Sequence, residues 1–148
     1  MITLFTIGFT KKNAEKFFNL LTNANVAKLI DIRINNSSQL SGFAKGIDLA
    51  YFTKKICNIE YKHIIEFAPT KELLSDYQNK SINWTQYEII YKNLLKQRNI
   101  LSKYNIDDMN GACFLCTEEK PDQCHRRLLV EYLKNNHPEK NIKIVHLM

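Results

Sequence analysis

GACFLCTEEKPDQCHRRLLVEYLKNNHPEKNIKIVHLM, residues 111–148, decides the architecture. GACFLCTE is a short, continuous apolar run, the pattern of a strand buried on both faces. PDQCHRRLLVEYLKNN follows with apolar residues at helical spacing behind Pro121 and Asp122, which mark a helix start. NIKIVHLM closes the stretch as another apolar strand. Strand, helix and strand in so short a span make a βαβ unit, and such crossovers join parallel strands with a right-handed turn.

The alternation extends back through the chain. ITLFTIG (2–8) reads as a buried strand ended by Gly8, and NAEKFFNLLTNANV (13–26) as a helix capped by Asn13, with Phe17, Leu20, Leu21 and Ala24 on one side. AKLIDIRI (27–34) is a second apolar strand that carries two charges. Residues 35–46, NNSSQLSGFAKG, have no periodicity. A helix at 48–58, a strand YKHIIEFA (61–68), a helix after Pro69-Thr70 and a longer helix at about 83–102 complete the series. The pattern predicts one α/β domain over 1–148, a doubly wound, mostly parallel five-stranded sheet with helices on both faces. The layout is Rossmann-like, but neither G-x-G-x-x-G nor the Walker pattern is present, so no dinucleotide cofactor is expected.

With 45% hydrophobic and 24% charged residues among 148, the composition is that of a soluble globular protein. Met1 leads straight into a strand without a signal peptide, and no apolar run approaches the roughly 20 residues of a membrane span, so a cytoplasmic location and no membrane partner are expected. The net charge of +6 and pI of about 9.1 suit an anionic partner, whether nucleotide, nucleic acid or phosphometabolite. The basic clusters Lys11–Lys12, Lys54–Lys55 and Arg126–Arg127 are too short to form a long basic tract. Four cysteines (Cys57, Cys113, Cys116, Cys124) in such a chain argue for thiols or a metal rather than disulfides. Cys57 falls in an amphipathic helix, where it reads as a small buried hydrophobe.

Ligands of doubly wound sheets bind beyond the carboxyl ends of the strands. That rule selects Gly8 to Lys12, Asp31 and Arg33, the loop 35–46, Glu66 at the end of the third strand, and Cys116 to Glu119. Asp31 and Arg33 stand two apart on a strand and share a face, either as a structural ion pair or as an anion-binding arginine with an orienting or basic carboxylate. The loop is long for an α/β connection and offers neutral hydrogen bonds from Asn, Ser and Gln, which favours a binding role.

CFLCTEEKPDQCHRR supplies four zinc-ligand candidates in Cys113, Cys116, Cys124 and His125. Residues 113 and 116 lie three apart on a strand and face opposite sides, and adjacent Cys124 and His125 make an awkward ligand pair, so no metal is expected. A phosphatase loop is also excluded, because the sixth residue after Cys116 is Asp122 and after Cys124 is Val130. With a helix starting at Pro121 or Asp122, Cys124, His125 and Arg126 fall in its first turns. That end attracts anions and would lower the Cys124 pKa, while Arg126 adds a forked donor. Arg127 stands four before Glu131 as an exposed pair.

TIGFTKKNAEKFF, LIDIR with the following NN, SQL, GFAKG and DL, EFAPTKELL, and CTE with KPDQCHRRLL and EYL together resemble the domain-of-unknown-function 488 family, small bacterial proteins with no agreed activity. The resemblance runs from Ile2 to Leu147 and implies an α/β fold. It carries over Gly8, Asp31, Arg33, Cys116, Glu118, Cys124, His125 and Arg126 as motif positions. Many relatives look like T-I-G-H-S where this chain has Phe9 and Thr10, and have a proline soon after D-V-R where this chain has INNSS. A role for a histidine at position 9 is therefore not transferable.

The resulting expectation is an enzyme-like pocket for a phosphorylated or nucleic-acid-derived ligand. Gly8, Arg33, His125 and Arg126 would bind it, Asp31 or Glu118 would act as base, and Cys116 or Cys124 would be the reactive thiol. A non-catalytic nucleic-acid-binding module is the alternative, and a small structural or regulatory subunit a third.

Overall fold

The computed structural model describes residues 1–37 and 42–148. Five strands, β1 (Ile2–Gly8), β2 (Lys28–Asp31), β3 (Glu60–His63), β4 (Ala112–Cys116) and β5 (Ile142–Leu147), form one sheet in the order β3-β2-β4-β1-β5. Every pairing is parallel. Central β4 is buried at all five residues, ACFLC, which is why it reads as an unbroken apolar run.

Helices cover both faces. α1 (Ala14–Asn23) buries Phe17, Phe18 and Leu21, and α2 (Gly46–Phe52) buries Leu49, on the face that also takes Leu29, Cys113 and Leu115. α3 (Lys71–Gln78), α4 (Trp84–Gln97), α5 (Ile100–Lys103) and α6 (His125–Asn135) cover the other, against Ile30, Ile32, Phe114 and Cys116. Each large apolar side chain taken out of water there contributes roughly 1.5–3 kcal/mol. Asn13 caps α1 by accepting from the Lys16 N–H, Thr70 caps α3, and Asn83 with Gln86 forms a reciprocal capping box on α4.

Several boundaries differ from the sequence reading, each for a local reason. The second strand stops at Asp31, because the Arg33 N–H turns back to Asp31 Oδ1 at 3.1 Å. β3 pairs only as far as Asp31–His63 and therefore cannot continue to residue 68; residues 65–67 form a 3-10 turn instead. The helix expected at 48–58 is α-helical only to Phe52, widens into a π turn at Thr53–Cys57 and ends on left-handed Asn58 (φ 55°). The long helix of 83–102 is broken by left-handed Asn99 (φ 58°). α6 begins at His125, with Cys124 as its extended N-cap rather than a first-turn residue. Among the described residues no helix is long and apolar enough to cross a membrane.

The connection leaving β2 runs over the α1/α2 face towards β3, whereas that leaving β4 runs over the opposite face towards β5. These strands are neighbours, so the space beyond their carboxyl ends is a switch point that neither connection covers.

Candidate functional site

The end of β2 fixes an arginine. Asp31 is fully buried and accepts from Arg33 Nε at 2.9 Å, from Arg33 Nη2 at 2.7 Å and from the Tyr61 hydroxyl at 2.5 Å. Arg33 Nη2 also donates to the Ala44 carbonyl at 2.7 Å, and the guanidinium lies 5.2 Å from the Phe9 ring centroid. Asn36 Nδ2 donates to the Tyr61 oxygen at 2.9 Å, tying the start of the long loop to the same knot. Burial opposes the Arg33 charge, but the Asp31 carboxylate outweighs it and raises the Arg33 pKa, while burial and Asp31 together raise that of Tyr61. Asp31 is thereby used up holding Arg33. Arg33 retains Nη1 without a partner among the described residues.

The end of β4 brings two thiols and an imidazole together. Cys116, Cys124 and His125 are all buried, and their donor atoms lie within 4.8 Å of one another. Cys116 Sγ is 3.5 Å from His125 Nδ1. His125 Nε2 is 2.8 Å from the Ile32 carbonyl, which only accepts, so Nε2 carries the hydrogen and Nδ1 does not, while the sulfur, 3.7 Å from Nε2, is nearly equidistant from the two ring nitrogens. The neighbouring Cys124 thiol lowers the Cys116 pKa against the effect of burial, helped by the Thr117 and Glu118 N–H groups and by Arg126. Burial instead pushes Cys124 well above the ordinary thiol range. The lowering expected for the Cys124 pKa is therefore not found. At the N-cap, Cys124 does not offset its desolvation through the α6 dipole, whereas Cys116 collects the donors. Cys113 does face the other side of the sheet, as its strand position requires. Extended Cys124 (φ −139°, ψ 140°) followed by the first helical residue nevertheless lets adjacent side chains both reach Cys116. The ground for excluding a metal therefore fails.

Gly8 and Arg126 belong to a brace behind this centre and do not line the cleft. A Cβ on Gly8 would lie 1.6 Å from the Glu118 carbonyl oxygen, so only glycine lets β1 approach the segment leaving β4. Arg126 is fully buried. Its Nη1 donates to that same Glu118 carbonyl and, at 3.6 Å, to Cys124 Sγ, while Nη2 donates to the Glu119 carbonyl at 3.1 Å. Its Nε is unpartnered, and no carboxylate pairs with it among the described residues. The Thr10 hydroxyl closes the brace on the Thr117 carbonyl at 2.7 Å. Glu66 is also away from the cleft, held by Lys103 and the Tyr104 hydroxyl, both at 2.7 Å. Arg127 pairs with Glu131 at 3.7 Å as its spacing indicates, though it is half-buried.

The cleft itself has a volume of about 240 Å³ and is lined by Arg33, Asn35, Cys116, Glu118, Cys124 and His125 on the strand side. Glu118 is exposed at its rim. The opposite wall is aromatic. Trp84 and Tyr87 stack at 4.9 Å, Tyr77 meets both edge-on or tilted, and Tyr91 continues the row to His125 at 5.6 Å. The Tyr77 hydroxyl donates to Gln123 Oε1 at 3.0 Å and ties α3 to the segment before α6. Sequence reasoning missed this wall. The available signal was the spacing of Trp84, Tyr87 and Tyr91, at i, i+3 and i+7 on one face of a helix. Asn35 reaches the cleft, but residues 38–41 of the expected binding loop lie outside the described residues.

An all-parallel, doubly wound α/β protein with a thiol–imidazole cleft at its switch point is the class that fold and site define. Residues 13–133 match the family described as Domain of unknown function DUF488, and the chain belongs to that family. No curated protein and no solved structure matches the chain significantly.

Proposed function

We propose that the cleft is an enzyme-type site for a small anionic molecule carrying a planar ring, a nucleotide or a nucleic-acid-derived fragment. One observation carries this reading: a charged arginine, fixed by Asp31 with Nη1 unpartnered among the described residues, sits across the cleft from Tyr77, Trp84 and Tyr87. Arg33 supplies a charge-assisted donor for phosphate or carboxylate, and the aromatic wall supplies stacking area. The volume of about 240 Å³ is below the roughly 300–1,000 Å³ of drug-sized sites, which limits the enclosed fragment to about one ring and its anionic group. Cys116 and His125 form the floor against which the reacting part of the ligand lies, and Glu118 at the rim is the carboxylate placed to exchange a proton. Asp31 acts through Arg33.

Thermal unfolding of the full chain with inorganic phosphate, a nucleoside, and the corresponding nucleoside monophosphate tests this. At a hundred times Kd a ligand stabilises by about 2.7 kcal/mol, which raises the midpoint of a chain this size by about 5–10 °C. The monophosphate should shift the midpoint most. Arg33→Lys, which keeps a positive charge beside Asp31 but loses the fork, should weaken that binding roughly tenfold or more. Stabilisation only by single-stranded nucleic acid, collapsing with salt, would instead assign a non-catalytic nucleic-acid surface.

A further inference from the structure

We propose that Cys116 Sγ, Cys124 Sγ and His125 Nδ1 bind one transition-metal ion of the zinc class, with a fourth coordination position open to the cleft. This inference deepens the reading of the cleft and depends on that reading only for what would occupy the open position.

The spacing is close to that of a metal site. Zinc bonds of about 2.0–2.3 Å in a tetrahedron place neighbouring donor atoms about 3.3–3.8 Å apart. Cys116 Sγ and His125 Nδ1 are 3.5 Å apart, inside that range, and all three donors lie within 4.8 Å of one another, so a closure of about 1 Å at most brings the other pairs into it. Two sulfurs and an imidazole form a soft donor set, which selects zinc-like ions over magnesium or calcium.

The surroundings fit independently. A metal-bound histidine ordinarily donates its other ring N–H to a carbonyl or carboxylate, which fixes the tautomer. His125 Nε2 does so to the Ile32 carbonyl at 2.8 Å, which leaves Nδ1 as the unprotonated ring nitrogen available to a metal, 3.5 Å from Cys116 Sγ. One sulfur also has a charged N–H donor suited to a thiolate: Arg126 Nη1 donates to Cys124 Sγ at 3.6 Å. Gly8 and the Thr10 hydroxyl hold that segment from behind.

Charge then indicates what the open position takes. A divalent ion and two thiolates sum to zero, and Asp31 neutralises Arg33. Buried Arg126 and nearby buried Lys12 carry two positive charges against one carboxylate at the cleft rim, Glu118, which leaves one positive charge in excess. An anionic oxygen, from hydroxide or from the ligand's phosphate or carboxylate, completes both coordination and charge. Three protein ligands with one open position is the arrangement of catalytic rather than structural zinc. All three ligands line the cleft.

The test uses the full chain, stripped with a chelator and titrated with zinc alone or cobalt(II) alone, without organic ligand. Expected are one ion per chain, a thiolate-to-cobalt charge-transfer band, and zinc protection of two of the four thiols from alkylation. Cys116→Ser, Cys124→Ser and His125→Ala should each weaken zinc binding a hundredfold or more, and Cys113→Ser should not. If a ligand variant fails to fold, the alkylation pattern of the unaltered chain decides. No zinc or cobalt uptake by the folded chain, or equal loss in Cys113→Ser, overturns the proposal. A Cys116–Cys124 disulfide forming readily without metal uptake overturns it too, in favour of a redox dithiol. Nucleotide binding to the stripped chain is measured separately, so either result stands if the other fails.

Discussion

Replacing Asp31 by Asn separates a positioning carboxylate from a catalytic one. The side chain is fully buried, and its partner Arg33 is only 4% exposed. Its oxygens accept two donors from the guanidinium, the Arg33 N–H and the Tyr61 hydroxyl. Asn keeps the shape and one acceptor oxygen but turns an NH2 group towards donors. The guanidinium stays buried with no counter-charge. Removing one member of a buried pair costs about 3–5 kcal/mol, because the other charge is left uncompensated. For a chain of this size that lowers the thermal midpoint by about 10–15 °C. Tyr61→Phe, which removes one hydrogen bond and leaves the ion pair intact, should cost only about 1 kcal/mol. Urea and thermal denaturation followed by circular dichroism measure both. A loss below about 1 kcal/mol for Asp31→Asn, with the fold intact, would show that the pair is not closed off as described. Arg33 would then not be held for a ligand, and Asp31 would return as the base.

Gly8→Ala should destabilise by roughly 3 kcal/mol in urea titrations, since its methyl would overlap the Glu118 carbonyl, which is backbone and cannot swing away. Arg126→Ala orphans the Glu118 and Glu119 carbonyls and should cost roughly 2–4 kcal/mol, whereas Arg127→Ala, which loses only a 3.7 Å pair with Glu131, should change stability by less than about 0.5 kcal/mol. His146 lies 2.6 Å from the Thr6 hydroxyl, and burial, reinforced by Arg126 and Arg127, lowers its pKa from 6.5. The unfolded chain therefore takes up this proton first, so stability should fall as pH drops below 6.5 and level off once the folded-state value is passed. His146→Gln should remove that part of the slope between denaturation series at successive pH values.

The layered fold was legible because its strands are buried on both faces. ACFLC and ITLFTIG are continuous apolar runs that only a covered parallel sheet accommodates. Element ends were not, because they are set by long-range partners. β3 stops where β2 stops, and β2 stops where Arg33 folds back on Asp31. Within the site, Asp31, Arg33, Cys116, Glu118, Cys124 and His125 stood out as charged or nucleophilic residues at strand ends. Of these the cleft gathers all but Asp31, which lies one contact behind Arg33. Gly8 and Arg126, expected to bind the ligand, lie outside the cleft lining for a shared reason. A glycine after a strand and an arginine early in a helix suit an anion equally well as a backbone brace, and only the 1.6 Å approach at Glu118 decides between them. The Cys116, Cys124 and His125 cluster was hidden because spacing drew attention to Cys113-x-x-Cys116, whereas the three side chains come together between β4 and the α6 N-cap.

Trp84 is the chain's single tryptophan and part of the cleft wall, stacked on Tyr87. Its fluorescence during titration with a nucleoside monophosphate is the most direct measure of whether a small anionic ring occupies the cleft. Expected is a saturable change that the nucleoside alone reproduces only at much higher concentration, that Arg33→Lys weakens, and that depends only shallowly on salt. No response to any mononucleotide, or a response confined to long single strands with a steep log–log loss against salt, would contradict it.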